Sequence, residues 1–153
     1  LLRVLASDLW GIEPILLEPT LKYDAQLLIG DEAIKVQAEK QFRYVTDLGQ
    51  SWYELTGLPF VFALWVLRRD VPAVQAKEFE NCLTESFLHG RNLLNTIANE
   101  RATSFMNEDT VKKYISHFTY EIGVPEKKGT KEFQLRLNRL PQWSPETISL
   151  DKI

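Results

Sequence analysis

The chain has 153 residues, with 18 Lys and Arg against 21 Asp and Glu, a net charge of -3 and a pI near 5.5. That balance lacks the positive field by which nucleic-acid-binding surfaces attract phosphate, so no nucleic-acid partner is expected. Hydrophobic residues make up 44% of the chain, enough for one ordinary domain with a core.

Cysteine occurs once, at Cys82, which excludes an intramolecular disulfide and a multi-cysteine metal site. It also favours a reducing, cytoplasmic compartment. His89 and His117 lack a metal-ligand spacing, so no metal and no cofactor is expected. The longest apolar run, at residues 58–67, is shorter than the roughly 20 residues a membrane helix requires. No secretory signal is visible either, so no membrane partner is expected.

The sequence opens LLRVLASDLWG, already on a helical stripe through Leu1, Leu2, Leu5 and Leu9. No capping residue precedes that stripe, so the chain reads as a piece of a longer polypeptide beginning inside a helix. Gly11 is placed to end this helix. Residues 14–18 form a strand candidate closed by Pro19, and residues 26–29 another that ends at Gly30-Asp31. Residues 32–40 fit either an extended segment or a short helix, and residues 43–46 a further strand.

The next helix is clearly punctuated. Asp47 suits its N-cap with Gln50 at capping-box spacing, Gly57 stops it, and Pro59 bars its continuation. Residues 60–67 then run apolar without alternation, as a strand covered on both faces does in a parallel sheet. On that reading Phe62 and Trp65 are core residues.

A long helix is expected from Pro72 to about Ala102, with a stripe of Phe79, Leu83, Phe87, Leu94 and Ile97 and a kink or close contact at Gly90. Asn107 is placed to cap a helix running through Val111, Tyr114, Ile115, Phe118 and Ile122 to Gly123. Thr130 is placed to cap a last one, through Phe133, Leu137 and Leu140. Residues 141–153 read as a tail. Strands alternating with helices give an α/β class.

No Gly-rich phosphate loop, nucleophile elbow, HExxH or CxxC occurs. Ser86 and His89 lie three apart on a helix, but no acid is evident to orient them as a dyad. What remains is a set of turns. Gly30-Asp31 follows a strand candidate, where open α/β sheets gather ligands. The helix start at Asp47 favours anions, and Gly57 lets the backbone around Leu58 and Pro59 approach a ligand closely.

Several stretches carry a family resemblance: LLRVLASDLWGIEP at 1–14, LLIGDEAIK at 27–35, YVTDLGQSWYELTGLPFVFALWVLR at 44–68 and HFTYEIG at 117–123. Together they resemble the chorismate dehydratases of menaquinone biosynthesis by the futalosine route. The DLG…W…TGLPFVFALW block is the most specific part, and the match ends near residue 140. The resemblance implies an α/β fold like that of type 2 periplasmic binding proteins, with two lobes and a ligand cleft, here lacking most of the N-terminal lobe. Residues 1–59 would belong to the second lobe, and 60–140 to a crossover strand and helices returning to the first.

The implied activity is a carbon–oxygen lyase that removes water from chorismate to give 3-[(1-carboxyvinyl)oxy]benzoate, without a cofactor. The proton-transfer groups would lie outside this chain, so these residues alone would be inactive. Substrate-binding positions are then Gly30 and Asp31, with Thr56, Gly57, Leu58 and Pro59. Asp31 suits a substrate hydroxyl better than a carboxylate, because like charges repel. Self-association as a homodimer stays open.

Two other readings stay open beside this one. The sister enzyme 1,4-dihydroxy-6-naphthoate synthase shares the TGLP turn, but carries a His-Glu-Gly-like stretch where this chain has Gly30-Asp31-Glu32, and small residues where it has Phe60, Phe62 and Trp65. A solute-binding protein for a small anion would have the same architecture.

Overall fold

The computed structural model describes residues 1–17 and 21–141. Its regular elements are α1 (Leu2–Leu5), which runs on as a π-helical turn over Ala6–Trp10, then α2 (Gly30–Ala38), α3 (Leu48–Thr56), α4 (Ala73–Asn92), α5 (Leu94–Arg101), α6 (Glu108–His117) and α7 (Val124–Leu137). The closing tail expected beyond Pro141 lies outside the described residues, as do Glu18 and Pro19 at the end of the first strand candidate.

The α/β expectation is not met, and neither is the periplasmic-binding-protein-like fold. Every regular element among the described residues is helical, with no strand or sheet. The strand candidates at 14–17, 26–29, 43–46 and 60–67 have no regular structure. A strand exists only through ladder bonds to a neighbour, and an apolar run records an aversion to water without naming a partner. Residues 60–67 show this most plainly: Phe62 is 66% exposed and Trp65 and Val66 are each 77% exposed. The expectation that Phe62 and Trp65 are core residues is corrected accordingly.

The chain divides into two compact units, one from Leu1–Leu27, Tyr44–Ala63 and Ile122–Ile153, the other from Leu28–Arg43 and Leu64–Glu121. In the first, Val4, Leu5 and Trp52 are fully buried. Leu48, Leu55, Phe60, Phe133 and Leu137 pack around them, so α1, α3 and α7 share one core. Gly11 adopts the left-handed φ of 62° expected of a terminating glycine. The Asp47 carboxylate accepts from the N–H groups of Gly49 at 2.7 Å and Gln50 at 3.0 Å, making the expected N-cap of α3. Gln50 does not reciprocate; its amide donates to Glu54 one turn on. Asp47→Ala is therefore expected to cost about 1 kcal/mol, read as a lower urea midpoint, with Asp47→Asn retaining most of the stability.

In the second unit Ala98, Met106 and Val111 form the buried centre, with Ile34, Phe105 and Ile115 packed on it. Asn107 caps α6 as expected, its side-chain oxygen accepting from Thr110 N–H at 2.9 Å. That helix ends at His117, short of the expected Gly123. The long helix expected from Pro72 breaks at Leu93, whose N–H is shared between the carbonyls of His89 and Gly90. Its stripe is placed as expected, with Phe79, Leu83, Phe87, Leu94 and Ile97 half-buried.

The last helix starts seven residues earlier than expected. Gly123 is its N-cap, Pro125 lies in its first turn, and Glu126 accepts from Gly123 N–H at 2.9 Å. Thr130, read as a cap, instead lies inside α7 and donates its hydroxyl proton to the Glu126 carbonyl.

Candidate functional site

Thr56, Gly57, Leu58 and Pro59 form one turn at the C-terminal end of α3. The Thr56 hydroxyl donates to the Trp52 carbonyl at 2.8 Å and accepts from Leu58 N–H at 3.1 Å. Gly57 sits at φ 67°, and its N–H donates to the Tyr53 carbonyl at 2.7 Å. A left-handed residue costs an L-amino acid about 1–2 kcal/mol, so glycine suits the position. Nothing lies within 4 Å of where a Gly57 Cβ would be, so its backbone faces open space. The turn is held from behind and open in front, and that geometry can bring a backbone group against a ligand.

What holds it from behind is α7. A Cβ on Gly129 would overlap the carbonyl oxygen of Pro59 and lie 3.7 Å from Leu58 Cβ. Glycine inside a helix costs about 1 kcal/mol relative to alanine; here the close approach of two backbones explains it. One turn further on, the Phe133 ring meets Trp52 and Phe60 edge-on, with centroids 5.9 and 5.0 Å apart.

The anchor at the other end of α7 is ionic. Arg136 donates from Nη1 to Asp8 and from Nε to Glu132, both at 2.7 Å. Burial pulls the guanidinium pKa down, and the hydrogen bonds and charges of Asp8 and Glu132 outweigh it, so the pKa rises above the ordinary value.

The other two expected residues, Gly30 and Asp31, belong to the second unit. They open α2, where Ile29 provides no side-chain cap and Gly30 has φ 65°. Asp31 and Glu32 occupy the first turn, where the helix dipole favours negative charge, and both are exposed. Two carboxylates there disfavour an anionic substrate group and leave Asp31 suited to accept from a hydroxyl. The anion-binding expectation at the start of α3 is also revised, because the Asp47 carboxylate already takes the Gly49 and Gln50 N–H groups.

Three features were not foreseen from the sequence: Gly129, the Asp8–Arg136–Glu132 cluster, and the Trp52 Nε1 proton, which is buried without a hydrogen-bond partner among the described residues. The Gly-Val-Pro-Glu run at 123–126 was the available signal for α7, with glycine at the cap, proline in the first turn and glutamate at the third position. Among the described residues no group of three or more His, Cys, Asp or Glu is placed to hold a metal ion, and no helix is long and apolar enough to cross a membrane.

The chain belongs to the menaquinone-biosynthesis family, whose model matches residues 1–139. Within that family it is similar to a chorismate dehydratase of Thermus thermophilus, 32% identical over 148 residues, an alignment covering 85% of this chain and 54% of that protein. It is also similar to a chorismate dehydratase of Campylobacter jejuni, 47% identical over 47 residues, covering 31% of this chain and 21% of that protein. The chain spans about half the length of the first of these curated relatives. No solved structure matches it.

Proposed function

We propose that this polypeptide acts in the dehydration of chorismate to 3-[(1-carboxyvinyl)oxy]benzoate, as a carbon–oxygen lyase of menaquinone biosynthesis by the futalosine route in the cytoplasm. The observation that carries this reading is the 32% identity to a chorismate dehydratase over most of the chain. The geometry fits the chemistry. Loss of a ring proton and of hydroxide as water creates an aromatic ring, so driving force is available and positioning becomes the main demand. A turn fixed from behind, with glycine backbone exposed in front, meets that demand.

In this reading Thr56, Gly57, Leu58 and Pro59 of the first unit are candidate substrate contacts, and so, taken by themselves, are Gly30 and Asp31 of the second, where Asp31 suits a hydroxyl. Proton-transfer groups are assigned to none of them. The full-length polypeptide mixed with chorismate is expected to consume it, followed as loss of substrate absorbance, with the enol-ether benzoate as product. Absence of turnover together with tight binding of another solute would reject the lyase in favour of a binding protein.

A further inference from the structure

We propose that Gly129 is a positioning residue for the reaction: its missing Cβ lets α7 rest on the Pro59 carbonyl and so fixes the turn at 56–59 against which substrate is held. The proposal rests on the reading of that turn as substrate-facing. Two contacts on α7 act on the same chain exit. Gly129 meets Leu58 and Pro59, and Phe133, four residues on, meets Trp52 and Phe60. The exit from α3 is thus held at its buried ring and at its turn by one rigid helix. Gly129 is itself buried, and the neighbouring Thr130 hydroxyl is bonded within α7, so neither has any part in touching a ligand.

Any side chain at 129 must push the Pro59 backbone, because the obstacle is a main-chain carbonyl and not a flexible side-chain tip. The Gly57 N–H bond to Tyr53 and the Leu58 N–H bond to Thr56 lie two residues and one residue before it. A displaced turn therefore shows itself at those two amides.

The test is Gly129→Ala in the full-length polypeptide, read by amide hydrogen exchange and by chorismate kinetics. Faster exchange is expected at Gly57 and Leu58, with the Asp47-capped amides of Gly49 and Gln50 unchanged. KM is expected to rise about tenfold or more, since displacements near 1 Å cost up to about a hundredfold in rate. Gly90→Ala, where nothing lies within 4 Å of the new Cβ, is the control and is expected to leave KM unchanged.

Unchanged exchange at Gly57 and Leu58 would overturn the proposal, as would equal acceleration at all four amides. Should Gly129→Ala fail to fold, the pair Pro59→Ala and Gly129→Ala decides. Freeing residue 59 lets its carbonyl move, so the double variant is expected to regain the cooperative denaturation transition that Gly129→Ala alone would lack. Failure of the double variant to fold would overturn it. A displaced turn with unaltered KM would refute the substrate-facing role, whereas a wild-type protein without turnover refutes the lyase reading itself.

Discussion

Trp52→Ala is expected to destabilise the α1–α3–α7 core by about 4 kcal/mol, within the usual range for losing a buried aromatic side chain. The ring is fully buried beside Val4 and Leu5, with Phe60 and Phe133 edge-on to it at 5.5 and 5.9 Å. Its removal leaves a cavity bounded by three helices that are pinned elsewhere, so collapse into the space is restricted. Trp52→Phe separates volume from polarity. The indole N–H is buried without a partner among the described residues, and an unmet buried donor costs about 1–3 kcal/mol. The phenylalanine variant gives up volume and removes that penalty, so its loss is expected to be about 1 kcal/mol. A urea-midpoint shift for Trp52→Phe well above that figure would show that the indole N–H carries no such cost.

Arg136→Ala is the second large effect, expected at about 2 kcal/mol for charge-assisted hydrogen bonds that are partly screened by solvent. The guanidinium joins Asp8, beyond α1, to Glu132 on α7, and the side chains of Arg136, Asp8 and Glu132 are 19%, 26% and 31% exposed. Deleting it removes two bonds and leaves two carboxylates facing each other across the gap. Arg136→Lys is expected to recover only part of the loss, because one ammonium lacks the fork that serves both acids at fixed angles. Thermal denaturation at low and high salt checks the assignment. The difference between wild type and Arg136→Ala should shrink as ionic strength rises.

The parts of this structure that were legible in the sequence are those decided within a few residues. Asp47 and Asn107 cap because a short side chain reaches its own helix's N–H groups, and Gly11 and Gly57 terminate because glycine takes positive φ cheaply. The stripe along α4 and α5 was legible for the same reason. The break at Leu93 was not, since no proline or left-handed residue marks it.

The strand expectations failed for a different reason. The apolar character of residues 60–67 is real, but pairing is a property of two segments and cannot be read from one. Of the candidate site, the turn at 56–59 was visible through Gly57 and Pro59. What supports it was not, because Gly129 matters only through a residue seventy positions away, and Lys127-Lys128-Gly129-Thr130 read locally as a helix boundary.

The apolar side chains left facing water along Phe62, Trp65 and Val66 bear on the thermodynamics of the whole chain. Heat capacity of unfolding and sensitivity to denaturant both scale with surface newly uncovered. Groups already wet in the native state add nothing to either. This chain should therefore show a flattened dependence of stability on temperature and a gentle denaturant slope for its length. Its folded population would then change over a wide range of conditions instead of at a sharp threshold.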